Sequence, residues 1–218
     1  MTRAELARQL KVYVVTDNRA ARGRPLVDLV AAALEGGATA IQLREKALNA
    51  LDQVALGREL RRLTDAAGAL LIVNDRADIA CVLEADGVHL GQDDLPVAAA
   101  RKILGPDAII GGSAGNLDEL TTSLAAGVDY LGVGPMYPTG SKDDAGPAIG
   151  PAGLAEIRRR TELPIVGIGA VGADNVGPVI AAGADGVAVI SAVIGADDPK
   201  AAARRLRQAV EDAIRLRG

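Results

Sequence analysis

Arg44 and Lys46 end the run AIQLREK, placing two cations at the close of an otherwise aliphatic segment. Side chains alternate along a strand, so Gln42, Arg44 and Lys46 share one face while Ile41 and Leu43 take the other. Two cations at a partly buried rim are unfavourable unless something negative meets them. A structural ion-pair network with neighbouring Asp residues is one reading. An anionic ligand is the other, and this pair alone does not decide between them.

Asp75 and Asp94 add groups of the opposite sign. Each follows a short β-branched run, ALLIV from Ala69 and DGVHL from Asp86, and the two runs are expected to be neighbouring strands. Either carboxylate alone reads equally well as a helix cap, and Asp93 reads as the cap of the next helix. Together they ask for a cation, and a site of one or two carboxylates completed by water and phosphate oxygens is the usual Mg²⁺ arrangement. Lys142 supplies a third cation, in a stretch between Gly134 and Gly150 whose length is typical of binding loops and lids. Three cations and a divalent ion exceed two carboxylates by roughly three charges, about the charge of a pyrophosphate ester. The cluster therefore suits a bound diphosphate.

GIGAVGADN and VISA offer a second anion site, because glycine and a hydroxyl stand where barrels hold phosphate on backbone N–H groups. Tight turns ask for the same glycines. His89, the only histidine, lies inside a strand run and reads as a packed interior residue. No Ser-His-Asp or Cys-His set can be built around it. Electrostatic stabilisation of a departing anion suits these residues better than an activated nucleophile. Cys81 is the single cysteine, which excludes an internal disulfide, and it reads as buried structure.

Eight β-branched runs alternate with Ala/Leu-rich stretches of helical period, the pattern of repeated βα units on a parallel sheet. They begin at Val12, Ala38, Ala69, Asp86, Ala108, Asp129, Pro164 and Asp185. EGGATAIQL, EADGVHL, AAGVDYLGV and AAGADGVAVI share one entry, a small turn after a helix end where glycine takes the left-handed cap. This regularity predicts a single closed (β/α)8 TIM barrel over residues 1–218, with its working rim at the C-terminal ends of the strands; an open doubly wound sheet is the alternative, though it would not require this regularity or this count. No linker or charge block marks a second domain.

Composition narrows the function classes. With no Phe or Trp, three Tyr and a net charge of -4, the 218-residue chain lacks the stacking platforms and positive groove of a nucleic-acid binder. The basic C-terminal stretch reads as the solvated face of the last helix. MTRAELARQL has no apolar core of a signal peptide, and no apolar run approaches the ~18 residues of a membrane span. The expectation is a reduced, cytoplasmic protein acting on small molecules, with a homo-oligomer left open.

The ordered set YVVTDN, QLREK, VNDRADIA, GVHLGQDDL, GVGPMYPTGSK and GADGVAVISA resembles the thiamine phosphate synthase family, from Tyr13 to about Pro199. The resemblance implies a TIM-barrel transferase that joins hydroxymethylpyrimidine diphosphate to hydroxyethylthiazole phosphate, or its carboxylated form, and releases pyrophosphate. It implies that the pyrimidine diphosphate is held by Gln42, Leu43, Arg44, Glu45 and Lys46 with Asn74, Ser113 and Lys142. Arg44, Lys46, Ser113 and Lys142 are the catalytic candidates among these. Asp75 and Asp94 match the Mg²⁺ positions, and Thr139, Gly140, Ser141, Gly169, Ile190 and Ser191 match the thiazole phosphate contacts.

Two positions depart from the family pattern. Gly115 stands where relatives commonly carry histidine or another polar residue, which removes a supporting contact to the diphosphate. Ala170 stands where a second glycine is frequent, a small change if the backbone there avoids positive φ. A thiazole tautomerase of the same fold is the nearest rival reading. It has no need of the diphosphate set Asp75, Asp94, Lys46 and Lys142. A non-catalytic barrel that binds a phosphorylated metabolite is the rival from another class, and Gly115 is its main support.

Overall fold

Alternation within each apolar run produces a strand with two unlike faces, and closing eight such strands buries one set inside the barrel and the other under the helices. A computed structural model of the chain describes residues 1–138 and 147–217. Its strands are β1 (Val12–Val15), β2 (Ala40–Leu43), β3 (Leu70–Asn74), β4 (Gly87–Leu90), β5 (Ile109–Ala114), β6 (Tyr130–Val133), β7 (Ile165–Ile168) and β8 (Gly186–Val189). They form a closed barrel in sequence order, every neighbouring pair parallel, with β8 returning to β1. This is the expected (β/α)8 barrel.

The helices among the described residues are α1 (Arg3–Gln9), α2 (Asn18–Ala21), α3 (Leu26–Glu35), α4 (Ala50–Ala67), α5 (Ala77–Val82), α6 (Val97–Leu104), α7 (Leu117–Ala126), α8 (Gly150–Arg158), α9 (Val176–Ala181) and α10 (Pro199–Arg217). Outward strand residues such as Val14, Ile41, Leu43 and Leu131 pack with Leu60 of α4, Leu154 of α8 and Leu206 of α10 in one core. Inward residues Tyr13, Val15, Ala40, Leu70, Ile72 and Tyr130 form a second core inside the barrel, joined by Leu6 and Leu10 from α1 and its C-cap. The split follows strand parity, so Ile41 and Leu43 face the helices while Gln42 faces inward.

The rim at the strand N-termini is built by one device used four times. Thr39, Asp86, Asp129 and Asp185 precede β2, β4, β6 and β8. Each donates its N–H to a carbonyl of the preceding strand: Val12 at 2.9 Å, Leu71 at 2.9 Å, Ile110 at 2.7 Å and Ile165 at 2.8 Å. Each side chain then accepts the N–H of that same strand residue, at 3.0, 2.7, 2.7 and 2.9 Å. The three carboxylates also pair with Arg61, Arg101 and Arg158, carried by α4, α6 and α8, the helices that lead into the partner strands β3, β5 and β7. A short polar side chain thus extends each ladder by one rung beyond the strand.

Two sequence expectations are corrected here. In EADGVHL the left-handed residue is Glu84, at φ 48, and not the glycine. Gly87 lies in β4, where an added Cβ would sit 1.9 Å from the Ile109 carbonyl oxygen of β5, so close strand approach is what requires it. Cys81 is exposed on α5 rather than buried, because its neighbours Ile79 and Ala80 take the inward face of that short helix.

Candidate active site

Arg44 follows β2 directly. Its side chain is 11% exposed and its Nη1 lies 3.5 Å from the Asp17 carboxylate, itself 15% exposed. Its main-chain N–H donates to the Thr16 hydroxyl at 2.9 Å. Asp17 is held in turn as the N-cap of α2, accepting the Ala20 N–H at 2.9 Å. The ion-pair reading of Arg44 is therefore realised in part. Yet the Arg44 Nε is buried and has no hydrogen-bond partner. A buried N–H left unpaired costs roughly 1–3 kcal/mol, and Arg61 Nε at the opposite rim is left in the same state.

The rest of QLREK divides sharply. Leu43 packs in the sheet–helix core, near Gly57 of α4. Glu45 is 5% exposed; one oxygen accepts the Asn18 N–H at 3.2 Å, while Oε1 is buried without a partner. Burial pushes its carboxyl above the usual range, against hydrogen bonds from Thr16 and Asn18, with Asp17 raising it further and Arg44 lowering it. Lys46 is exposed, because the strand ends at Leu43 and alternation no longer governs its direction.

Asn74 is the last residue of β3 and pairs in register with His89 of β4. Asp75 follows at φ 62, a left-handed conformation that is uncommon for a residue with a Cβ, and its N–H donates to the His89 carbonyl at 2.9 Å. Asp94 is half-buried, and its Oδ2 accepts the Gly91 N–H at 2.6 Å, leaving Oδ1 outside that bond. Asp93 is exposed and is not the cap expected of it, since Pro96 occupies the N-cap of α6 with no side-chain bond. No group of three or more His, Cys, Asp or Glu that could hold a metal occurs among the described residues. Two carboxylates from adjacent strand ends suit an ion that keeps water and substrate oxygens in its shell, which is the habit of Mg²⁺.

Inside the barrel a continuous polar chain links five strands. Gln42 Nε2 donates to the Tyr13 hydroxyl at 2.8 Å, and that hydroxyl meets the Tyr130 hydroxyl at 3.0 Å. Tyr130 reaches His89 Nδ1 at 3.0 Å, and His89 Nε2 reaches Ser113 Oγ at 3.1 Å. Burial pushes both phenols well above the ordinary tyrosine range, so they stay protonated. Strand glycines make room for the rings: a Cβ on Gly111 would lie 2.2 Å from Tyr130 Cζ, and one on Gly132 would lie 3.0 Å from His89 Cε1. Gln42 and Ser113 were singled out from sequence; the links between them were not. The available signal was parity, because Tyr13, Gln42, His89, Gly111, Ser113, Tyr130 and Gly132 all occupy inward positions of the runs.

Thr139, Gly140, Ser141 and Lys142 lie outside the described residues. The loop that leads to them is tied to β7, with Met136 N–H on Ile168 O at 2.8 Å and Tyr137 N–H on Gly169 O at 3.1 Å. Gly169 adopts φ 102, and a Cβ there would meet Pro135 at 2.8 Å. Ala170 adopts φ 49, so the backbone does not avoid positive φ and the missing glycine carries a local cost of about 1 kcal/mol. Ile190 and Ser191 open a single helical turn, with Ile194 N–H on Ile190 O at 2.9 Å and Gly195 N–H on Ser191 O at 3.1 Å. Arg24, not anticipated from sequence, clamps that turn through Ile194 and Ala196 carbonyls at 2.7 Å each. At Gly115 the N–H donates to Glu119 at 2.7 Å, and Gly134 O lies 3.2 Å from where a Cβ would stand. A histidine there would need the Gly134 carbonyl to give by a few tenths of an ångström.

A closed parallel barrel with a nearly buried guanidinium and two carboxylates just beyond the ends of β2, β3 and β4 has the architecture of a (β/α)8 enzyme. The family model described as thiamine monophosphate synthase matches residues 12–193, and the chain belongs to that family of transferases. It is 59% identical to the thiamine-phosphate synthase of Moorella thermoacetica over 202 residues, covering 93% of this chain and 96% of that one. It is 53% identical to the thiamine-phosphate synthase of a Roseiflexus species over 203 residues, covering 93% and 86%. Among solved structures, the thiamine phosphate pyrophosphorylase of Pyrococcus furiosus superposes with a TM-score of 0.88 at 42% identity, covering 96% of this chain and 99% of that one. No helix among the described residues is long and apolar enough to cross a membrane.

Proposed function

We propose that this barrel performs the thiamine-phosphate synthase reaction by a dissociative substitution at its C-terminal rim. The C–O bond between the pyrimidine methylene and the diphosphate breaks first, and both electrons leave with pyrophosphate. The aminopyrimidine delocalises the resulting cation. The thiazole nitrogen then donates its lone pair to the methylene carbon, forming the C–N bond without a general base.

The observation that supports it best is the 59% identity to a thiamine-phosphate synthase across 93% of the chain, together with a nearly buried Arg44 steadied at that rim by Asp17 and Thr16. In the mechanism Arg44, Lys46 and Lys142 stabilise charge on the departing diphosphate, while Ser113 and Asn74 orient it. Asp75 and Asp94 would hold Mg²⁺, whose charge would further offset the phosphate oxygens. Gly169, Ile190 and Ser191, with Thr139, Gly140 and Ser141, would receive the thiazole phosphate. The same reading places the enzyme in the cytoplasm; light scattering would determine whether it is a homo-oligomer.

Incubating the purified protein with both substrates, with and without Mg²⁺, tests this. Thiamine phosphate and pyrophosphate should appear in equal amounts and only with the metal. No joined product here, but aromatisation of a non-aromatic thiazole phosphate tautomer supplied in a parallel assay, would favour a tautomerase, and saturable binding without product would favour a regulatory barrel.

A further inference from the structure

We propose that Tyr130 and His89 are positioning residues that fix the direction of the interior hydrogen-bond chain and thereby aim the Ser113 hydroxyl proton at the bound substrate. The inference rests on the reading above, in which Ser113 contacts the pyrimidine diphosphate. It follows from donor counting along the chain. Gln42 donates to Tyr13, so the Tyr13 oxygen is an acceptor there and its own proton must go to Tyr130. Both rings are essentially fully buried, at 1% and 0% exposure, and neither phenol can turn to water without leaving a donor unpaired.

Tyr130 must then donate to His89 Nδ1, which makes Nδ1 an acceptor. A neutral imidazole with an accepting Nδ1 carries its proton on Nε2, and Nε2 donates to Ser113 Oγ. Ser113 accepts from His89 and keeps one proton to give. Its main-chain oxygen accepts from Gln92 at 2.9 Å and Ser123 at 3.2 Å, which holds the end of β5 still beneath that hydroxyl. The glycines at 111 and 132 serve the same end, since a side chain at either would push a ring out of line. A chain running the other way would place the proton on Nδ1 and direct the Ser113 hydroxyl into the barrel, away from any ligand.

Because the chain has one histidine, the test needs no assignment by mutation. Untagged protein labelled with ¹⁵N-histidine should show one neutral ring protonated at Nε2 near pH 7.5. Tyr130→Phe should release that preference and give a mixture of tautomers. Tyr13→Phe should keep it, since Tyr130 still donates to Nδ1. In turnover, Ser113→Ala should lower kcat roughly 10²-fold with little change in KM. Tyr130→Phe should lose roughly tenfold, and the double variant should be no slower than Ser113→Ala alone, because both remove one interaction.

Protonation at Nδ1, a doubly protonated ring, or losses that multiply in the double variant would overturn the proposal. If Tyr130→Phe does not fold, the wild-type tautomer alone still decides the direction of the chain. If the wild-type protein makes no thiamine phosphate, the functional reading fails while the tautomer measurement stands by itself.

Discussion

The two rims of the barrel are built on opposite terms. At the strand N-termini, Thr39, Asp86, Asp129 and Asp185 repeat one reciprocal pair of bonds every second strand, and the carboxylates also meet an arginine from a flanking helix. At the C-termini the described residues share less, a short turn recurring after β4 and β7 in which Asp94 and Asn175 accept the Gly91 and Gly172 N–H groups. Arg44 Nε and Glu45 Oε1 are buried without partners, and Asp75 and Ala170 are held in left-handed conformations. A repeated, reciprocally bonded rim stabilises the closed sheet. Unpaired groups and left-handed residues are not confined to that rim, since Arg61 Nε and Glu84 show the same at the other; what sets the C-terminal rim apart is the variety of polar side chains its loops carry. On the function proposed above, one end of the barrel serves the fold and the other the reaction.

Substitutions can break this contrast. The largest expected effect is on turnover: Asp75→Ala or Lys142→Ala should lower kcat by roughly 10³-fold or more, with a melting temperature close to wild type. Near-normal steady-state rates in either variant would remove that residue from the mechanism.

The converse is expected at the other rim. Asp129→Ala strips the Ile110 N–H and Arg101 of their shared acceptor, costing about 1–3 kcal/mol and lowering the melting temperature by roughly 2–10 °C. The kcat per folded molecule should not change. A large fall in kcat would mean that the rims are coupled.

Ala170→Gly should raise stability by about 0.5–1 kcal/mol, as relief of the left-handed conformation outweighs the added chain freedom. Urea denaturation reads this directly, and an unchanged midpoint would show that the loop carries no strain there. The smallest effect concerns Glu45. Its folded pKa is raised above 4.5, so the folded chain holds the proton more tightly than the unfolded one. The stability it contributes is fully present below about pH 4.5 and is lost as pH rises through the raised value. Glu45→Gln keeps the Asn18 bond without ionising, so its stability advantage over wild type should grow from acid toward neutral pH and then level off. A gap that shrinks with pH would reverse the sign of the burial argument.

Much of this contrast was readable in the chain itself, unevenly between the rims. The eight runs and the parity that sends Ile41 and Leu43 outward are local properties, and each appears as expected. The recurring turn before alternate strands was visible, but its use was not, because Asp129 acts through Ile110 and Arg101, far from it in sequence. Lys46 shows the limit of parity: alternation extrapolated past Leu43 no longer describes a chain that has left the strand. Asp93 and Asp94 could not be told apart by type, and only the Gly91 bond and the Pro96 cap separate them. Cys81 was misplaced because a short helix gives too few turns for its buried face to be read reliably.

The order of β-branched and helical segments, together with the residue types at strand ends, determined by itself that this chain closes into a (β/α)8 barrel and carries cations and carboxylates on one rim. Side-chain period is a one-dimensional property, so no partner need be known to read it. Which groups meet was decided only in three dimensions. Tyr13, Gln42, His89, Ser113 and Tyr130 become a single chain because closure brings five separated strands within hydrogen-bond reach, and bonds of 2.8–3.1 Å depend on backbone spacing that no local pattern encodes.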